Sequence, residues 1–90
     1  MEFEWDERKR QRNLRLHKVD FIDVLPMFDG ATLEIVDERF DYGETRIRCL
    51  GEIDGRVYVI VYTWRGISRQ IISARKANPR EKRTYYARQR

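Results

Sequence analysis

The chain has 90 residues, and its formal net charge of +4 conceals a strongly polarised distribution of charge. Residues 57–90 carry nine Lys or Arg against one acid, residues 19–56 carry ten acids against four bases, and residues 1–18 carry six bases against four acids. This length predicts one domain over residues 1–90. The single cysteine, Cys49, excludes an internal disulfide and a zinc site made of thiolates. No segment has the pattern of a secretory signal or a membrane span, so we expect a cytoplasmic protein.

The first third of the chain predicts a short strand followed by two helices. Apolar and acidic residues alternate over residues 2–5, which indicates the strand. Asp6 can cap a helix that runs to about Lys18, and Asp20 can cap a second helix. Pro26 falls within the apolar stripe of that second helix, so we expect the helix to kink or to end early.

The remainder predicts a sheet and a final helix. Candidate strands are residues 32–36, 45–53, 56–64 and 67–74. The third of these is apolar on both faces and should be central, and Asp54-Gly55 before it predicts a tight hairpin. Asn78 can cap the last helix, with Pro79 at its first position and Glu81 at its third, which predicts a capping box. The order β-α-α-β-β-β-β-α predicts an α+β domain, a mostly antiparallel twisted sheet with its helices packed on one face.

The last predicted strand carries arginines suited to binding phosphate. Arg69 and Arg75 are predicted to fall on one side of this strand, where they could clamp a phosphate group. Arg46 and Arg48 also share a face, and strand order decides whether they converge with Arg69. If they converge, the cationic hollow could stabilise a pentavalent phosphorane. Otherwise these arginines are solvated strand residues or partners of neighbouring glutamates.

Three other side chains could contribute chemistry. Tyr85 and Tyr86 lie on the last helix, just beyond Arg80 and Arg83, and we expect one tyrosine to pack on the sheet and the other to face a ligand. His17, the only histidine, ends the first helix, where it could shuttle a proton or interact favourably with the helix dipole; its position favours the second interpretation.

The chain contains Phe-Glu-Trp-Asp at residues 3–6, Gly-Glu-Thr-Arg at residues 43–46 and an arginine-containing run at residues 69–77, in an order that resembles BrnT-type toxins. The run Arg-Gln-Ile-Ile-Ser-Ala-Arg-Lys-Ala at residues 69–77 is the most specific part of the resemblance. Lys18, Leu16 and Pro26 depart from the family's pattern, which affects the local shape of the helices more than the basic segment of residues 57–90, called the basic tail below. The other matching residues are 3–6, Lys9, 13–15, His17, Val19, Phe21, 43–46, Arg80, Glu81, Arg83 and Tyr85.

The resemblance implies a ribonuclease toxin of a bacterial type II toxin–antitoxin system, with a fold similar to RelE and ParE toxins. It implies RNA cleavage without metal or another cofactor, through attack of the 2′-hydroxyl on its own phosphate, and inhibition of translation as the result. The implied partners are RNA and a BrnA-like ribbon-helix-helix antitoxin, which alone contacts DNA, in a toxin homodimer or a toxin–antitoxin heterotetramer. The alternative is a ParE-like or inactive module that only binds its antitoxin or gyrase.

On this interpretation each candidate residue has a predicted role. Arg46, Arg69 and Arg75 would bind phosphate and stabilise charge in the transition state. Arg83 and Tyr85 would position the substrate, and the proton acceptor would be Glu4 or His17. No metal ligands are predicted. The predicted RNA-binding surface also contains Arg65, Arg80, Lys76, Trp5 and Lys9.

Overall fold

The computed structural model describes residues 1–89, so Arg90 of the basic tail lies outside the described residues. Strands and helices follow the predicted order, and the α+β class is confirmed. The elements are β1 (Glu2–Trp5), α1 (Glu7–His17), α2 (Phe21–Val24), a 3₁₀ helix (Leu25–Asp29), β2 (Thr32–Asp37), β3 (Arg46–Ile53), β4 (Arg56–Arg65), β5 (Ser68–Lys76) and α3 (Pro79–Arg88).

The helices begin and end at the predicted sequence signals. Asp6 and Asp20 each accept a hydrogen bond from the backbone N–H two residues later, at 2.8 and 3.1 Å, and so cap α1 and α2. Lys18 ends α1 in the left-handed conformation, with φ at 59°, which a non-glycine residue adopts at a cost of about 1 kcal/mol. Pro26 shortens α2 to four residues, and the chain continues as the 3₁₀ helix. Within residues 1–89, no helix is long and apolar enough to cross a bilayer.

The five strands form one mixed sheet in the order β1-β5-β4-β3-β2. β1 runs parallel to β5, and the other three pairs are antiparallel. β4 is therefore the central strand, as its two apolar faces predicted. Asp54 and Gly55 join β3 to β4 with φ at 51° and 78°, which confirms the tight hairpin.

Helices cover both faces of the sheet, so the prediction that they pack on one face is wrong. The tyrosine face, which carries Tyr58, Ile60 and Tyr62 of β4, packs against α2 and the 3₁₀ helix. The valine face, which carries Val57, Val59 and Val61 of β4, is partly covered by α3 through Tyr85. A central strand that is apolar on both sides needs cover on both sides, and the last helix supplies the second cover.

A β-bulge in β5 decides which arginines share a face. Val61 of β4 is paired with Ser73, but the next residue, Tyr62, is paired with Ile71, so Ile72 is an extra residue in β5. An extra residue reverses the alternation of side chains along a strand. Arg69 consequently lies on the tyrosine face, and Arg75 lies on the valine face. The prediction that these two arginines fall on one side of the strand is wrong.

Asn13 attaches α1 to β5 at the point where β1 ends. Its side-chain Nδ2 donates hydrogen bonds to the carbonyl oxygens of Val19 at 2.9 Å and Ala74 at 2.7 Å. The backbone N–H of Ala74 donates to Asn13 Oδ1 at 3.1 Å. This buried carboxamide therefore satisfies strand groups that no neighbouring strand reaches, and it fixes the position of α1 beside the sheet.

Candidate functional site

The valine face carries an arginine cluster, defined here as Arg46 and Arg48 of β3 and Arg75 of β5. The guanidinium of Arg75 donates two hydrogen bonds to the carboxylate of Glu81, at 2.8 and 2.9 Å. Arg48 donates to the same carboxylate at 3.4 Å. Glu81 therefore brings together arginines from two strands that β4 separates.

Glu81 is itself held in place by the start of α3. The backbone N–H of Asn78 donates to Glu81 Oε1 at 2.9 Å, and the backbone N–H of Glu81 donates to Asn78 Oδ1 at 2.8 Å, which confirms the predicted capping box. The hydrogen bonds from Arg75 hold the pKa of Glu81 below its usual range, so the carboxylate is ionised at neutral pH. One negative charge between Arg48 and Arg75 leaves this group with a net positive charge.

Arg46 extends the cluster toward the β2–β3 connection. Its guanidinium lies over the ring of Tyr42, 4.0 Å from the ring centroid, and its Nη2 is 3.6 Å from Glu44 Oε1. The buried Nε atoms of Arg46 and Arg48 have no hydrogen-bond partner among residues 1–89. These Nε atoms are closed to solvent, but 24% of the Arg46 side chain and 22% of the Arg48 side chain remain exposed, so both side chains are accessible to a ligand.

A carboxylate occupies the far side of the same face. Glu4 of β1 is paired with Gln70, and its neighbours Phe3 and Trp5 pack on the tyrosine face, so alternation places Glu4 on the valine face. Glu4 is exposed. Three strand spacings of about 4.8 Å each separate its backbone from that of Arg46.

A second cationic group borders the cluster. A cavity of about 200 Å³ lies between α1 and β5, and it brings together two residues that were predicted to act in RNA binding or catalysis, Lys9 and His17. Ser73, which also lines this cavity, shares the valine face with Arg75 two positions further along β5. The other lining residues are Arg12, Asn13, Leu16 and Ile72.

Arg69 does not join the arginine cluster, because it occupies an aromatic cage on the tyrosine face. Its guanidinium lies 4.8, 5.1 and 4.5 Å from the ring centroids of Phe28, Tyr62 and Trp64. Tyr62 donates a hydrogen bond to Glu34 at 2.8 Å, and burial raises the pKa of the Tyr62 hydroxyl to about 12. These contacts make Arg69 part of the packing between the sheet and the 3₁₀ helix.

The remaining predicted residues divide between the core and the surface. Tyr85 is 5% exposed and donates its hydroxyl hydrogen bond to the Ala31 carbonyl at 2.8 Å, so it is the tyrosine that packs on the sheet. Because its side chain is buried, Tyr85 does not face a surface where it could position a substrate, the role predicted for it. Trp5 packs edge-on against the core residue Phe21. The exposed residues are Arg65, Lys76, Arg80 and Arg83.

The part that Glu81 plays in this site was not predicted, and the convergence of Arg48 was left open. The alternation of Arg46 with Arg48 is visible in the sequence, but only the strand order shows that both lie near Arg75. Glu81 was interpreted as a capping residue, and its second contact with Arg75 leaves no local signal. Across the part of the chain that the structure describes, no three His, Cys, Asp or Glu side chains are grouped so as to hold a metal ion. The valine face therefore offers concentrated positive charge with a carboxylate nearby, an arrangement that can bind and stabilise a phosphate group.

Comparison with known proteins agrees with this chemistry. A family model described as the ribonuclease toxin BrnT of type II toxin–antitoxin systems matches residues 5–81. The crystal structure of the Brucella abortus ribonuclease toxin BrnT is similar, with a TM-score of 0.66 and 28% sequence identity over 87% of this chain and 97% of that chain. None of the curated protein sequences matches. Because the family model covers most of its length, the chain belongs to the BrnT family of ribonuclease toxins of type II toxin–antitoxin systems.

Proposed function

We propose that this protein is an endoribonuclease that cleaves single-stranded RNA on the valine face of its sheet, without a metal ion. The observation that carries this proposal is the convergence of Arg46, Arg48 and Arg75 on one face, where 24%, 22% and 27% of their side-chain surfaces remain exposed. Membership of the BrnT family supports the class of activity.

The proposed reaction needs positive charge more than it needs covalent chemistry. The 2′-oxygen of the RNA forms a bond to the adjacent phosphorus, and the bond from phosphorus to the 5′-oxygen breaks. The products are a 2′,3′-cyclic phosphate and a 5′-hydroxyl. Charge develops on the phosphate oxygens during this exchange, and guanidinium groups that already point toward it stabilise it without reorganising. Glu81 fixes the positions of Arg48 and Arg75, although it also competes with the phosphate for their donor groups.

Proton transfer would use the two groups that flank the cluster. One proton must leave the 2′-hydroxyl, and one must reach the departing 5′-oxygen. Glu4 lies on the valine face itself, and His17 lies in the cavity that Ser73 connects to that face. A carboxylate and an imidazole are suited to accepting and returning protons. The variants Glu4→Gln and His17→Asn therefore test the two roles separately.

The cellular consequence we infer is inhibition of translation, relieved by an antitoxin. A toxin of a type II system has an antitoxin partner, and we infer a BrnA-like ribbon-helix-helix protein that alone contacts DNA. A toxin homodimer or a toxin–antitoxin heterotetramer is the inferred assembly, and a relationship to the RelE and ParE fold belongs to the same proposal. The acidic stretch of residues 19–56 offers a basic partner a complementary surface.

The decisive experiment is cleavage of a labelled single-stranded RNA by the purified protein in excess EDTA. We expect products that end in a 2′,3′-cyclic phosphate, and we expect a strand with 2′-deoxyribose at the cleavage position to resist. Cleavage that requires added metal, or that leaves a 5′-phosphate, would contradict the proposal.

One observation favours a second candidate, a module that binds its antitoxin or gyrase and performs no chemistry. In this structure Glu81 already pairs with two of the three arginines of the cluster. Expression without antitoxin separates the candidates. RNA cleavage should stop translation rapidly, gyrase poisoning should damage DNA, and an inactive module should leave growth unchanged.

A further inference from the structure

We propose that the cavity between α1 and β5 is a subsite for a nucleobase, and that it holds the nucleotide next to the phosphate bound by the arginine cluster. Arg12 is the residue that positions this base. The inference rests on the proposed RNA-cleaving function and names where the substrate lies beyond the reacting phosphate.

The cavity has the size and walls that suit one base. Its volume of about 200 Å³ is below the ~300–1,000 Å³ typical of sites for drug-sized ligands. Leu16 of α1 and Ile72 of β5 provide apolar surface for the flat side of a ring. Arg12 provides a planar cation, the group on which unstacked RNA bases commonly stack.

The polar groups in the cavity are free to bind a ligand. Within residues 1–89, neither Lys9 nor Arg12 forms an ion pair, and the Ser73 hydroxyl has no hydrogen-bond partner. Asn13 differs, because both polar atoms of its carboxamide are bound to the backbone. Asn13 therefore sets the spacing between α1 and β5, while Ser73 can read the edge of a base or a 2′-hydroxyl.

The β-bulge connects the cavity to the arginine cluster. The extra residue, Ile72, lines the cavity, and Ser73 after it is in phase with Arg75 on the valine face. Two positions along an extended strand span about 7 Å. A single RNA strand can therefore place a phosphate at Arg75 and an adjacent base in the cavity. Bulges commonly redirect side chains beside functional sites, and at this bulge the side chains of Ile72 and Ser73 both line the cavity.

The test compares two variants that remove the same charge from the same helix. Arg12→Ala removes the planar cation from the lining of the cavity and leaves Lys9 in place, whereas Arg8→Ala removes an exposed arginine of α1 that does not line the cavity. The probe is a 2′-O-methyl oligonucleotide, which cannot be cleaved by 2′-hydroxyl attack, and its affinity is measured by fluorescence anisotropy. We expect Arg12→Ala to weaken binding about tenfold, as loss of one stacked base does. Arg8→Ala should weaken it about twofold, because only general electrostatic attraction is lost.

An abasic scan of the oligonucleotide makes the test specific to a base. With the wild type, removal of the base at one position should weaken binding about tenfold, and with Arg12→Ala the same removal should have little effect. Leu16→Ala changes no charge and should also reduce the sensitivity to that abasic position.

Failure of this inference is distinguishable from failure of the proposed function. Equal losses for Arg12→Ala and Arg8→Ala, or no sensitive abasic position, would overturn the subsite even if RNA is cleaved in EDTA. A sensitive abasic position that depends on Arg12, in a protein that cleaves no RNA, would support the subsite and reject the reaction.

Discussion

Replacing Asn13 with alanine tests whether one side chain supplies the hydrogen bonds that β5 lacks where it extends beyond the end of β1. The substitution removes three hydrogen bonds at once, two donated by Nδ2 and one accepted by Oδ1. It leaves the N–H and carbonyl of Ala74 and the carbonyl of Val19 without these partners. The site is 5% exposed, so water does not replace the lost bonds freely.

The magnitude follows from the number of bonds. Each hydrogen bond contributes about 1 kcal/mol net to the free energy of unfolding, and leaving a buried polar group without a partner costs about 1–3 kcal/mol. Three bonds therefore predict a loss of about 3 kcal/mol in the free energy of unfolding. A domain of this size has roughly 5–10 kcal/mol in total, so Asn13→Ala should remove a third of its stability or more.

The assay is urea unfolding followed by far-UV circular dichroism, with Arg15→Ala as the control on the same helix. Arg15 is exposed, and arginine and alanine have similar helix propensity, so the control should change stability by less than about 0.5 kcal/mol. Asn13→Asp should destabilise at least as much as alanine, because a carboxylate would face two carbonyl oxygens. A loss below about 1 kcal/mol for Asn13→Ala would refute the reasoning.

Three further predictions concern Glu81 and Cys49. Glu81→Gln should release Arg75 and Arg48, which should raise affinity for a non-cleavable RNA severalfold and lower the free energy of unfolding by about 1–2 kcal/mol. The control Glu38→Gln removes the same charge from an exposed loop and should change neither quantity. Arg75 lowers the folded-state pKa of Glu81 below 4.5, so the pairing of these two residues stabilises the fold above pH 4.5 and this stabilisation is lost as the pH falls through the folded-state pKa. In urea titrations, the wild type should therefore lose more stability than Glu81→Gln between about pH 6 and pH 3. Burial raises the pKa of the Cys49 thiol to about 12, so a disulfide reagent at pH 8 should modify it only in urea, and rapid modification of the folded protein would contradict its position in the core.

The features that could be predicted from sequence are those that depend on a few adjacent residues. Asp6, Asp20 and Asn78 cap helices because each side chain reaches a backbone N–H two or three residues away. Pro26 interrupts its helix for reasons of its own ring geometry. The apolar faces of β4 predicted a central strand, because a strand inside a sheet that is covered on both faces buries both sets of its side chains.

The features that could not be predicted depend on pairing between distant residues. The bulge at Ile72 is defined by two consecutive partners on β4, and no residue type marks it in the sequence. Without it, strict alternation places Arg69 beside Arg75, which was the wrong prediction. The sequence also did not predict which face α3 covers, because nothing in the sequence around Tyr85 shows on which side of the sheet this residue packs.

The central claim is that RNA is cleaved on the valine face, and two arginines of β5 on opposite faces test it most directly. The measurement is the single-turnover rate of RNA cleavage in EDTA by Arg75→Ala and Arg69→Ala, at a temperature at which circular dichroism shows both variants folded. We predict that Arg75→Ala slows cleavage by about 100-fold or more, as loss of one transition-state donor does. Arg69→Ala should be less stable to urea, because it loses its contacts with Phe28 and Trp64, yet should cleave within about threefold of the wild-type rate. A folded Arg69→Ala that is inactive, beside an active Arg75→Ala, would contradict the account.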